Sequence, residues 1–294
     1  MNKIGIHYAY WGHDWDVDLG ERIQNAANVG FEVIDITPPE YIVNLDKTKM
    51  KELKNISRSC GVELSFCIGF PKEQDMSSSD SATRERGIEF SKRIMEAVNF
   101  MGGNTLSGIL YSWWPYLYTS PLSMSDKQSA WNWGVESIQK LMPFAESYDI
   151  RYAIELVNRF EQFILNSVDE GLQYVDDIKN PRAGLLIDVF HANIEEDSIP
   201  DAIRKAGDHL FHLHISENNR RLPGFGKSID WDGIIQAIKD INYKGSIVME
   251  PFLEAFHPVG NDLRIWRNLE NDLSKEARDT YARQSIAFIK EKLR

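Results

Sequence analysis

Short apolar runs recur along this chain at a spacing that few architectures admit. Ile4–Tyr8, Phe31–Ile36, Val62–Ile68, Thr105–Leu110, Arg151–Val157, Gly184–Val189, Leu210–Ile215 and Ser246–Met249 each read as a strand. Shared among eight runs, 294 residues give about 37 each, enough for a strand, a helix and two loops. The intervening segments carry helical period. Phe90, Ile94 and Val98 recur every four residues while Arg86, Lys92 and Glu96 take other faces. Ile138, Leu141 and Phe144 repeat within residues 130–148, and Tyr281, Ile286 and Ile289 repeat more weakly near the C-terminus. Gly30, Gly61 and Gly245 stand just before strands, where a helix is expected to end and the chain to turn.

Strict alternation of strand and helix implies a parallel sheet with helical crossovers, and eight units favour a closed (β/α)8 TIM barrel. An open doubly wound sheet is the alternative. Against it, no G-x-G-x-x-G follows the first strand, and Gly102-Gly103 precedes a strand instead of opening a helix. No Pro/Ser-rich linker or composition step interrupts the chain, so residues 1–294 are expected to form a single domain.

Charge and cysteine content narrow the function. With 33 Lys+Arg against 44 Asp+Glu, the net charge of −11 argues against nucleic acid or an anionic membrane as partner. Only Cys60 and Cys67 are present, in no zinc-ribbon spacing, so a disulfide framework is excluded. The N-terminus alternates like a strand and lacks a signal-peptide core, and no apolar run is long enough to span a bilayer. A cytoplasmic protein is expected.

In a (β/α)8 barrel, functional groups stand at the C-terminal ends of strands. Four polar residues close apolar runs there: Glu155, Asp188, His214 and Glu250. Their separations of 33, 26 and 36 residues place them on four successive strands, the fifth to the eighth. A lone carboxylate in such a place commonly caps a helix or pairs with a base, and His212 shares the strand face of His214 and rivals it. Three carboxylates and an imidazole converging together are harder to explain without a cation. Hard oxygen donors with one nitrogen and no thiolate favour Mn²⁺, Mg²⁺ or Co²⁺. Around them, Glu161, His191, Glu217, Arg220 and Arg221 suggest a hydrogen-bonding ring for a polyhydroxylated substrate. Tyr8, Tyr10, Trp11, Trp15, Trp113, Trp114 and Phe252 offer aromatic faces to its C–H side, or else pack the barrel edge.

The chain resembles the ketose 3-epimerases of the D-tagatose/D-psicose (D-allulose) type, within the xylose isomerase-like barrels. The resemblance spans nearly the whole chain. Its most specific stretches are residues 5–11 (GIHYAYW), 155–161 (ELVNRFE), 188–196 (DVFHANIEE), 214–220 (HISENNR) and 249–252 (MEPF). It implies that Glu155, Asp188, His214 and Glu250 hold a divalent metal, most often Mn²⁺, and that Glu155 and Glu250 move the proton at C3. The reaction implied is inversion at C3 of a free ketose such as D-tagatose, D-psicose, D-fructose or D-sorbose, through a cis-enediolate, by a homodimer or homotetramer. It further implies that Glu161, His191 and Arg220 bind the O1–O3 end, and that His7, Trp15, Cys67, Gly108, Trp114 and Phe252 line the substrate pocket.

The chain also departs from the family's pattern, at positions that leave the four ligands untouched and bear on substrate preference alone. His7 replaces an aromatic residue, Val189 and Ala192 replace Thr and Met, His257-Pro258-Val259-Gly260 lacks a Gly-Gly, and Ser228-Ile229-Asp230 replaces a Leu-Pro. An aldose–ketose or hydroxypyruvate-type isomerase on the same barrel is the competing reading. A metal-dependent DNA-repair endonuclease would need more histidine ligands than seven residues readily supply, and a basic groove. A sugar-binding protein without catalysis would bind a ketose and exchange no proton at C3.

Overall fold

A computed structural model describes residues 2–116 and 120–294. Eight strands form a closed, all-parallel barrel in sequence order. They are β1 (Ile4–His7), β2 (Val33–Ile36), β3 (Glu63–Cys67), β4 (Thr105–Gly108), β5 (Arg151–Leu156), β6 (Ala183–Asp188), β7 (Leu210–Ile215) and β8 (Ile247–Met249). All eight expected runs are strands, mostly shorter by one or two residues at an end. Two of the residues trimmed at the C-terminal ends open the loops that build the site: Tyr8 opens a 3₁₀ turn over Tyr8–Trp11, and Val189 opens a helix over Val189–Glu195.

The expected helices are present and longer than their apolar period indicates. They span Ser81–Met101, Met124–Ser147 and Lys275–Leu293, and bury Ile94, Val98, Ile138, Leu141 and Ile289 against the barrel. Side-chain caps supply their ends: Asp80 accepts from the Ala82 and Thr83 N–H groups, and Ser123 with Asp126 forms a capping box. Gly30 and Gly61 end helices with φ of 105° and 68°, in the left-handed region that glycine tolerates best. Gly245 does not act this way. The turn after Trp231–Asp240 is made by Asn242 at φ 52°, and Gly245 leaves room for the Tyr243 hydroxyl, which a Cβ would approach to 2.2 Å.

The register between β6 and β7 decides how the site is built. Leu185 pairs with Leu210, but the next pair is Leu186 with His212, so a bulge adds one residue to β7. Asp188 therefore lies beside His214, and their side chains share a face. Among the described residues no helix is long and apolar enough to cross a membrane.

Candidate active site and metal centre

The four strand-closing residues meet. Glu155 lies in β5, Asp188 ends β6, His214 lies in β7, and Glu250 follows β8, anchored by its N–H to the Ile215 carbonyl at 3.0 Å. All four are buried, and one ligand atom from each lies within 4.8 Å of the others. Asp188 performs the ordinary and the special task together. Its Oδ1 accepts from the Phe190 N–H as a helix cap, and its Oδ2 faces the cluster.

Asp35 was not legible as part of this site. It ends no long apolar run in an obvious way, yet it is fully buried on β2, and its Oδ2 accepts from Nε2 of both His212 and His214 at 2.8 Å. Burial opposes its charge, but the two imidazoles override that and hold it well below the usual carboxylate range. The pair also resolves the rivalry between the histidines. His212 is a hydrogen-bonded core residue, while His214 leaves Nδ1 buried without a hydrogen bond, 3.5 Å from Glu250 Oε1. An orphaned nitrogen among three carboxylates fits a cation. The donor set, three oxygens and one imidazole nitrogen, suits a hard or borderline divalent ion.

Arg220 joins the cluster to the substrate space. Its Nη1 donates to Asp188 Oδ2 at 2.5 Å and to Glu250 Oε2 at 2.7 Å, and its guanidinium lies 4.0 Å from the Phe190 ring centroid. The residue has φ 67°, and its carbonyl accepts from the Phe252 N–H, so the surrounding loop holds a backbone conformation that arginine disfavours. His191 Nε2 lies 3.3 Å from Arg220 Nη2, and its Nδ1 lies 2.7 Å from Asn158 Nδ2. Glu161 accepts from Asn158 Nδ2 at 3.0 Å and from Trp114 Nε1 at 2.8 Å.

Above these groups lies a cavity of about 540 Å³. Its wall includes His7, Trp15, Cys67, Trp114 and Phe252, together with Glu155, Glu161, His191, Arg220 and Glu250. Gly108 is not part of that wall. It ends β4 at φ 116°, where a Cβ would come within 2.2 Å of the Ile68 carbonyl, so it serves close strand packing. Two loop charges expected near the substrate are likewise structural. Glu217 is buried against the Gly224 N–H and Trp231 Nε1, and Arg221 pairs with Glu270. Tyr10 and Trp11 also turn away, bonded to the Arg278 carbonyl and to Asp279.

The electrostatics separate the two glutamates. Burial, then neighbouring Glu250, push the Glu155 carboxyl well above the usual range. Burial acts on Glu250 in the same sense, but His214 and Arg220 override it and hold that carboxyl far below. Burial and Glu155 keep the Cys67 thiol protonated. His7 is pushed down to about 4 by burial, so its ring is neutral at ordinary pH. Its Nδ1 accepts from the Ala9 N–H at 3.4 Å, which leaves the proton on Nε2.

Comparisons with known proteins agree with the fold. Residues 23–292 match the family described as Xylose isomerase-like TIM barrel. A D-psicose 3-epimerase of Agrobacterium fabrum is 37% identical over 286 residues, which cover 97% of each chain. The crystal structure of a D-psicose 3-epimerase in the presence of D-fructose matches with a TM-score of 0.95 at 36% identity, covering 99% of both chains. That of the Clostridium cellulolyticum D-psicose 3-epimerase with D-tagatose matches with a TM-score of 0.93 at 34% identity, also covering 99% of both.

Proposed function

The chain belongs to the xylose isomerase-like TIM barrel family and to its ketose 3-epimerases, and we propose that Glu155 and Glu250 invert C3 of a free ketose in its cavity. The observation that carries this reading is the convergence of one ligand atom each from Glu155, Asp188, His214 and Glu250 within 4.8 Å, with Glu155 and Glu250 on the cavity wall. These four would hold a divalent ion, with Mn²⁺ the first choice and Co²⁺ or Mg²⁺ the alternatives. When bound, such an ion acts as a Lewis acid that acidifies the proton beside the ketone.

The chain's own groups do the rest. Glu155 and Glu250 come from strands on different sides of the cluster, so a planar cis-enediolate between them presents one face to each. One carboxylate takes the C3 proton and the other, protonated, returns one to the opposite face. Arg220, His191 and Glu161 bind the O1–O3 end and fix which carbon lies between the glutamates. Trp15, Trp114, Phe252 and His7 cover the remaining carbons and exclude water. The substrate class is a free ketohexose, of which D-psicose, D-tagatose, D-fructose and D-sorbose are the set to test.

Incubation with Mn²⁺ and each ketohexose in deuterated water, followed by NMR, tests this directly. A C3-epimeric ketose carrying deuterium at C3 is expected. An aldose product would replace this reading with C1–C2 isomerisation, and ketose binding without exchange would leave a sugar-binding protein.

The assembly is a homodimer or homotetramer. Phe160, Phe256 and Trp266 are 60%, 67% and 57% exposed, the Phe256 and Trp266 rings lie tilted with centroids 5.9 Å apart, and Arg264 bonds the Phe160 carbonyl to tie the two loops together. A patch of exposed aromatics on the loops after β5 and β8 is what a self-complementary interface buries.

A further inference from the structure

A second group of metal-ligating side chains lies apart from the Glu155 cluster. His13 follows the 3₁₀ turn after β1, while Glu254 and His257 lie in the loop after β8, the strand that closes the barrel against β1. One ligand atom from each of the three lies within 4.8 Å of the others. We propose that His13, Glu254 and His257 form a separate site for an imidazole-preferring divalent cation such as Zn²⁺.

The geometry is close to what such an ion requires. Donors at about 2.0–2.2 Å from a tetrahedral ion stand roughly 3.3–3.6 Å apart. His257 Nε2 is 3.2 Å from Glu254 Oε1, and His13 Nδ1 is 3.8 Å from Glu254 Oε2. The imidazoles lie side by side, with centroids 4.4 Å apart and planes inclined by 37°. Glu254 is held in place from behind. Arg278, itself buried, donates from Nη2 to Glu254 Oε2 at 2.5 Å and from Nη1 to the Tyr10 carbonyl at 2.7 Å. Arg278 thus holds Oε2, the oxygen nearer His13, while Oε1 lies nearest His257, and a hydrogen-bonded partner of this kind orients ligating carboxylates in metal sites generally. The His13 and His257 side chains are 58% and 44% exposed, so an ion can enter and water can complete its shell.

Two imidazoles and one carboxylate prefer Zn²⁺, Cu²⁺ or Ni²⁺, whereas the oxygen-rich barrel cluster suits Mn²⁺ or Mg²⁺. The two sites therefore differ in selectivity. The loops concerned also carry part of the cavity wall. The Val259 N–H donates to the His13 carbonyl at 3.3 Å, and Trp15 Nε1 donates to Asp262 Oδ2 at 2.8 Å, with Trp15 and Asp262 both lining the cavity. A cation there would add a third tie between the same two loops.

The test is metal stoichiometry of the tag-free, Mn²⁺-loaded protein after dialysis against buffered Zn²⁺. The unaltered chain is expected to hold two metal equivalents in total, and His13→Gln and His257→Gln one each. The difference between chain and variant reports this site alone, whatever the barrel cluster binds. Equal uptake by the chain and its variants overturns the proposal. A second measurement needs no variant: Zn²⁺ should protect His13 and His257 from carbethoxylation by diethyl pyrocarbonate, read by mass spectrometry. Equal modification with and without Zn²⁺ also overturns it.

Discussion

Asp35 and His214 come from β2 and β7, 179 residues apart in sequence, and meet at 2.8 Å across the barrel interior. The carboxylate accepts a hydrogen bond from Nε2–H, which turns Nδ1 toward Glu155, Asp188 and Glu250. Outer-shell partners of this kind are typically worth 10- to 100-fold in metal affinity. Asp35→Asn removes the charge that fixes the tautomer, and titration with Mn²⁺ should show a loss of about that size. Unchanged affinity would mean that packing alone orients the ring.

Metal removal should act on stability as well as turnover. The three carboxylates of the cluster repel one another, and an ion at 100 times its Kd stabilises the fold by about 2.7 kcal/mol, or roughly 5 °C in a chain of this size. Exhaustive chelation is expected to abolish turnover and lower Tm by several degrees, with Mn²⁺ or Co²⁺ restoring both. Full activity in a demonstrably metal-free sample would sink the proposed mechanism.

Glu155→Gln and Glu250→Gln keep the shape and remove the base. Each should lower kcat by several orders of magnitude, with metal content measured alongside because each is also a proposed ligand. A variant that binds metal normally and turns over near the wild-type rate would clear that residue of the proton transfer.

His7 offers a neutral Nε2–H donor to the cavity, where phenylalanine would offer only apolar contact. One hydrogen bond is worth about 0.5–1.5 kcal/mol net, so His7→Phe should change kcat/KM ratios between C4-epimeric ketoses by about 2- to 12-fold. If the ratios hold while kcat collapses for every ketose, His7 serves the chemistry instead.

The same residue sets a pH dependence. Burial lowers the His7 pKa from 6.5 to about 4, so the unfolded chain binds more protons than the folded one between those values. Its contribution is fully present above pH 6.5 and is lost as pH falls toward 4, by as much as about 3 kcal/mol. Denaturant titrations should show His7→Phe losing less stability than the unaltered chain over that window. Parallel losses would place the acid sensitivity elsewhere.

Exposed aromatics should report the assembly. Phe256→Ser with Trp266→Ser is expected to shift sedimentation toward the monomer while the isolated barrel keeps its far-ultraviolet spectrum. An unchanged sedimentation coefficient would place the interface on another face.

The eight-fold alternation was written locally, in runs such as Leu185–Ile187 and Ile247–Met249, because strand and helix periods depend on neighbouring residues alone. The polar residue closing each run was legible for the same reason, and so Glu155, Asp188, His214 and Glu250 could be named without coordinates. What tertiary structure alone decided is which groups face one another. The bulge after Leu185 brings Asp188 level with His214, and no local signal announces a one-residue shift in register. Asp35 reads as an ordinary strand acid until β2 and β7 close around a shared interior. Glu217 and Gly108 carried suggestive positions, yet packing against Trp231 and Ile68 turned them to structural work. Sequence period determines that a barrel forms and where its functional rim lies. Register and barrel closure, which couple residues far apart in the chain, determine which side chains on that rim can share a cation or a substrate.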